Sequence, residues 1–131
     1  MESVVHFEMP YEDKNRLAAF YAEVFGWTMT PLGEEYGQYV MAVTTESDMK
    51  GPKKPGAING GFFPKKPDWP TQVPSVVISV SDINNSIRKI SASGGRPLGQ
   101  PMEIPNVGLY VSFIDTEGNR VSLIQHLNAP E

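Results

Sequence analysis

Apolar and polar residues alternate along the first extended stretch of the chain, "SVVHFEM". Val5, Phe7 and Met9 share one side, while Val4, His6 and Glu8 share the other, the period-two pattern of a half-buried strand. Pro10 ends that run. Asp13 is placed to cap a helix, because a short carboxylate accepts hydrogen bonds from the first free backbone amides. Leu17, Phe20, Tyr21 and Val24 follow at helical spacing, and Gly26 suits the left-handed residue beyond the last turn. Strands are predicted next at about Trp27–Leu32, Tyr36–Thr44 and Ala57–Phe63, giving the order β-α-β-β-β.

The second half repeats the plan. "SVVISVSD" alternates as a strand, Asp82 caps a helix carrying Ile83, Ile87 and Ile90, and Gly94 and Gly95 stop it. Strands are predicted at about Arg96–Glu103, Leu109–Ile114 and Arg120–His126, the last two joined by the tight turn "DTEGN". "GQYV" (37–40) and "GLYV" (108–111) open corresponding strands, and His6 precedes Asp13 by the same seven residues that separate Ser75 from Asp82. An internal repeat of this kind implies halves that pack together or with a second chain. Module 1 is expected over about 1–63 and module 2 over about 75–127. The stretch "PKKPDWPTQVP" (64–74), stiffened by four prolines, is the expected linker.

Composition narrows the picture only modestly. At 131 residues the chain is one domain by length. The absence of cysteine excludes disulfides and thiolate metal sites and fits a reducing cytosol. The opening "MESVVHFEMP" reads as a strand and not a signal peptide. No apolar run approaches the roughly eighteen residues a membrane span needs. A net charge of −4 argues against nucleic acid as a partner. Lys50, Lys53, Lys54, Lys65 and Lys66 lie among prolines and glycines, the setting of solvated loops more than of a phosphate site.

Taken together, "VVHFEMP", "FYAEVFGW", "VVISVSDI" and "FIDTEGNRVSLI" resemble the vicinal oxygen chelate superfamily, which includes glyoxalase I, bleomycin-resistance proteins and extradiol dioxygenases. The resemblance runs from about Val4 to Gln125. It implies an α+β fold of two paired βαβββ modules curled around a shared cleft. A cytoplasmic homodimer is expected. The resemblance also implies metal ligands, commonly His and Glu, on the first and last strands of each module, where a divalent ion would act as a Lewis acid on two substrate oxygens.

Carried over position by position, that ligand set is largely missing. His6 matches in strand and register. The first acid position falls on Asn59 or the neighbouring Gly60 and Gly61, the second imidazole position on Ser75 by register or on Val76 if the strand slips by one, and the final acid position on Ser122. No cofactor is therefore expected, a divalent metal is possible but disfavoured, and the resemblance points to binding of an unidentified, partly apolar small molecule in the cleft. The alternative is a metal-dependent lyase or dioxygenase built around His6, with Glu8 and His126 as substitute ligands. Glu8, two residues from His6 on the same side, could orient the imidazole or share its proton, making His6 and Glu8 the candidate catalytic pair. Against this stands a histidine satisfied within the core.

Tyr39 and Tyr110 are candidate pocket-lining aromatics, as are Phe62, Phe63 and Trp69, although aromatics are also ordinary core residues. The glycines of "INGGFF" admit two readings. They leave room beside a ligand, or they serve a bulge or close internal packing.

Overall fold

The computed structural model describes residues 1–127. The chain divides into two compact units, one of residues 6–74 and one of residues 75 onward together with residues 1–5. Each is built as β-α-β-β-β, with one further two-stranded hairpin in the first.

In the first module β1 (Val4–Tyr11) leads to α1 (Lys14–Phe25), β2 (Thr28–Pro31) and β3 (Val40–Val43). The hairpin of β4 (Ser47–Asp48) and β5 (Gly51–Pro52) follows, then β6 (Asn59–Pro64). The strands lie in the order β2-β3-β6-β1, with β1 and β6 parallel and the other neighbours antiparallel. Asp13 caps α1 as expected, its carboxylate accepting from the Arg16 amide at 3.0 Å, a contact of about 1 kcal/mol. Gly26 closes the helix at φ 73°, its N–H donating to the Ala22 carbonyl.

Val40, Ala42 and Phe62 form the buried centre of this module, with Phe7, Met9, Leu17, Tyr21, Trp27 and Met29 packed around them. The aromatic rings interlock. Tyr21 stacks on Trp27 with centroids 4.8 Å apart, and Phe62 meets Phe7 edge-on at 6.3 Å. The helical stripe is only half used. Leu17 and Tyr21 reach the sheet, whereas Phe20 and Val24 are 53% and 55% exposed. Helical spacing defines a stripe of apolar residues, but the tilt of the helix decides which edge of it touches the sheet.

In the second module β7 (Ser75–Ser79) leads through α2 (Ile83–Ala92) to β8 (Arg96–Ile104), β9 (Gly108–Ile114) and β10 (Arg120–His126), in the order β7-β10-β9-β8. Residues 1–5 join this unit, the Ser79 amide donating to the Ser3 carbonyl at 3.0 Å. Val80, Ile83, Val111 and Leu123 are its buried core, supported by Ile78, Ile87, Ile90, Leu109 and Phe113. The residues of β7, β9 and β10 packed beneath α2 thus alternate as the sequence implied, leaving Tyr110, Ser112, Ser122 and Ile124 on the opposite face.

The turn between β9 and β10 is organised by Asp115, whose carboxylate accepts from the Glu117 amide and from both the backbone and side-chain amides of Asn119. The Asn119 side chain first, and then the two backbone amides, hold the Asp115 carboxyl below its ordinary value of 3.8. A lowered folded-state value means the turn is favoured above the ordinary value and loses that support as pH falls through the folded one. The amide resonances of Glu117 and Asn119 should titrate together with a midpoint below 3.8. A midpoint at or above it would contradict the hydrogen bonding.

Several sequence expectations shift in detail. The predicted strand over Tyr36–Thr44 is shorter, because a 3-10 turn occupies Glu34–Tyr36 and Gln38 takes a left-handed conformation at φ 59° before β3 begins. Residues 64–74 carry hydrogen bonds and ring contacts of their own. The Gln72 side chain bridges the Lys66 backbone N–H and C=O and the Trp69 carbonyl, and Trp69 packs against Phe63 and beneath Lys66. No helix among the described residues is long and apolar enough to cross a membrane.

Candidate functional site

The first module's candidate residues lie on β1 and β6. Register pairs His6 with Asn59, Phe7 with Gly60 and Glu8 with Gly61. Phe7 and Gly60 face the core under α1. His6, Glu8, Asn59 and Gly61 face the other way, together with Met41, the partner of Gly61 on β3. Glu8 is buried at 6% exposure. His6 is half-buried, with its Nε2 3.2 Å from the Tyr39 hydroxyl. Either group can donate in that bond, according to the imidazole tautomer.

The two glycines are explained by this arrangement. A Cβ on Gly60 would lie 2.5 Å from the Phe7 ring, and a Cβ on Gly61 would overlap the Tyr39 ring. Both glycines are buried in extended backbone, so close packing and not a left-handed turn is what requires them. Of the two readings of Gly60 and Gly61, the geometry favours close internal packing over room for a ligand: the space beside them holds the protein's own rings.

Asn59 also has a different part from the one expected. Its Oδ1 accepts from the amides of Thr44 at 2.8 Å and Thr45 at 3.2 Å, and its Nδ2 donates to Ser47 Oγ at 3.0 Å. These bonds fasten the start of β6 to the segment after β3, so the carboxamide is committed to the loop and not to a ligand.

In the second module Ser122, Tyr110 and Ser112 form a compact hydroxyl cluster. Ser122 Oγ is 2.8 Å from both the Tyr110 hydroxyl and Ser112 Oγ, and the Arg120 guanidinium donates to Ser112 at 3.4 Å. Ser122 is 1% and Ser112 5% exposed. The cluster exists because Ser122 and Ser112 are register partners on adjacent strands with Tyr110 on the same face. Tyr110 and Ser122 were expected at the site, but Ser112 and Arg120 were not. Their trace in the sequence is the alternation Y-x-S in "LYVSF" and R-x-S in "RVSL" on consecutive strands. Ser122→Ala should cost about 1–3 kcal/mol in a urea unfolding experiment, because buried Ser112 and half-buried Tyr110 each lose a hydroxyl partner. A loss near zero would show that the cluster does not depend on it.

Ser75 begins β7 half-buried, two residues before Val77, the register partner of Ser122. His126 is exposed at the end of β10, opposite Gly108. Two shallow surface depressions, of about 360 and 410 Å³, flank the end of β1 at Tyr11 and Glu12, and neither includes an expected site residue.

The residues at the four ligand positions do not fit a divalent ion. His6 is bonded to a phenol, the Asn59 carboxamide is spent on backbone amides, Ser75 offers only a hydroxyl, and Ser122 is held by other hydroxyls. Among the described residues no group of three or more His, Cys, Asp or Glu side chains could hold a metal.

Residues 3–45 match the family model for the N-terminal part of bleomycin resistance protein-like sequences. A glyoxylase-like domain-containing protein of Didymella fabae is 29% identical over 115 residues, spanning 86% of this chain and 84% of that one. Among solved structures, methylmalonyl-CoA epimerase in complex with methylmalonyl-CoA and NH4+ superposes with a TM-score of 0.72 at 17% identity, over 100% of this chain and 99% of that one. A variant of the Streptomyces coelicolor methylmalonyl-CoA epimerase, in complex with 2-nitronate-propionyl-CoA, gives 0.70 at 17% identity, over 95% and 96%. At such identities the structures speak for the fold, α+β with paired βαβββ modules. The chain is thus similar to bleomycin resistance protein-like sequences over the first module and to a glyoxylase-like protein across both, and it shares its fold with the epimerases.

Proposed function

We propose that the protein binds a small, partly apolar molecule in the manner of glyoxalase- and bleomycin-resistance-like proteins, and does so without a catalytic metal. The observation that carries this reading is where the buried polar groups lie. Glu8, Ser112 and Ser122 are the buried polar side chains among the described residues, and each is on the face of its sheet turned away from the helix. A sheet face opposite a helix ordinarily goes to solvent. Each module by itself pairs such buried groups with half-buried polar neighbours, His6 and Tyr39 with Glu8 in the first and Tyr110 and Arg120 with Ser112 and Ser122 in the second, the kind of placed polar contacts a ligand site uses.

The donor chemistry supports hydrogen bonding over chelation. The first module offers an imidazole, a phenol and one carboxylate in His6, Tyr39 and Glu8, the second hydroxyls and a guanidinium in Tyr110, Ser112, Ser122 and Arg120, and among the described residues no three His, Cys, Asp or Glu side chains come together. The named epimerases carry acyl-CoA compounds on the same fold, which supports small-molecule binding here without supplying the substrate.

Native mass spectrometry of gently purified protein tests the reading. The expected result is a small organic mass retained by the folded chain and released on denaturation, with retention weakened in Tyr110→Phe and Ser122→Ala while both stay folded. No retained mass, and no binding from a cell extract of small molecules, would contradict it.

A further inference from the structure

We propose that Gly61 is a specificity-determining position of the first module, and that Tyr39 is the residue it admits. By lacking a side chain, Gly61 opens a slot across β6 through which the Tyr39 ring reaches His6. The module then presents a phenol–imidazole pair in place of a metal-binding set. This inference rests on the binding role proposed above.

Three observations carry it. First, the register places Gly61 beside Glu8, and Glu8 lies two residues from His6 on the same face. A carboxylate at position 61 would therefore complete a set of one imidazole and two carboxylates within one module, a donor set suited to a divalent ion. Second, the space such a side chain would need is taken. Any Cβ at position 61 would overlap the Tyr39 ring, so a side chain there and this placement of Tyr39 exclude each other. Third, the ring does more than fill space, because its hydroxyl meets His6 Nε2 at 3.2 Å, a ring nitrogen through which imidazole binds metals.

The chain brings Tyr39 to that point by an irregular route. Gly37 and Gln38 both take left-handed conformations, at φ 64° and 59°, and the Leu32 amide donates to the Tyr39 carbonyl at 2.8 Å. The Tyr11 hydroxyl and the Lys14 ammonium both bond Gln38, fixing the residue next to Tyr39. The backbone before β3 is thus held so that the phenol points over Gly61. Tyr39 acts here as a positioning residue for His6, and Gly61 as the position that permits it.

The test follows the His6 ring nitrogens by 15N NMR and titrates the proteins with Zn2+ alone by calorimetry. Tyr39→Phe, which keeps the ring and removes the hydroxyl, is expected to move the His6 Nε2 resonance while leaving the fold intact. The wild type is expected to bind Zn2+ no more tightly than His6→Ala does. The double variant Tyr39→Ala/Gly61→Glu is expected to gain roughly tenfold or more in Zn2+ affinity, about 1.4 kcal/mol, and a further His6→Ala change should abolish the gain. Should the double variant not fold, Gly61→Ala serves instead, because its added methyl must displace Tyr39 and shift the same resonance.

A resonance unmoved in folded Tyr39→Phe or Gly61→Ala overturns the proposal. So does a wild type that binds one Zn2+ through His6, or a folded double variant with no gain. These outcomes are separable from failure of the binding role. A protein that retains no small molecule but shows the His6–Tyr39 signature loses the ligand and keeps the pair, and a protein that retains a ligand without the signature does the reverse.

Discussion

Phe62→Ala is expected to remove about 3–5 kcal/mol of stability, the usual cost of emptying a fully buried phenylalanine site. Phe62 is 1% exposed and meets Phe7 and Tyr21 at centroid distances of 6.3 and 5.2 Å. Its neighbours cannot collapse into the space easily, because Phe7 is wedged against Gly60 and Tyr21 is stacked on Trp27. Domains of this kind are stable by only about 5–15 kcal/mol in total. The variant should therefore show a large fall in urea midpoint with little change in slope. Phe63→Ala, one residue on and facing the other way, is expected to cost less. Equal losses at the two positions would mean that the facing of β6 is wrong.

The second large effect concerns the paired glycines. Gly60→Leu and Gly61→Leu are each expected to destabilise the fold, by roughly 1–3 kcal/mol for overpacking. Gly60 should suffer more, because Phe7 is fixed within the core, whereas Tyr39 lies at the edge of β3 and can swing aside. Double-variant cycles identify the obstruction. Phe7→Leu should partly rescue Gly60→Ala, and Tyr39→Ala should partly rescue Gly61→Ala, each as a coupling of the size contacting residues show, about 0.5–3 kcal/mol. Leucine at both positions without loss of stability would mean that the rings do not occupy the space beside the glycines.

These glycines show how far the sequence could be followed. Alternation placed His6 and Glu8 together and opposite Phe7, because period two fixes which residues of a strand share a face. It also put Asp13 and Asp82 at helix starts, where both accept from a backbone amide three residues on. Alternation could show that Gly60 and Gly61 face opposite ways, but not what lies beyond each. Tyr39 lies between the left-handed Gly37 and Gln38 and the start of β3, so the direction of its ring follows no period.

Asn59 shows a similar limit. An amide at a ligand position suggests a ligand, yet the loop after β3 returns close enough to make three hydrogen bonds with its side chain. Ser112 and Arg120 were legible only in hindsight. Their meaning depends on the β9–β10 register, which the Asp115 turn sets and single-strand alternation does not. Phe20 and Val24 show the same limit in a helix, where spacing gives the stripe and packing chooses the edge.

The central claim is that the positions matching the metal ligands of the superfamily this chain resembles serve its own packing and hydrogen bonds. Elemental analysis of protein purified gently, without chelators or metal-affinity resin, tests it most directly. No stoichiometric Ni, Zn, Fe or Mn is expected, and His6→Ala should leave the metal content unchanged. One equivalent of a single ion per chain, lost in His6→Ala, would contradict the claim and favour a metal-dependent lyase or dioxygenase built around His6.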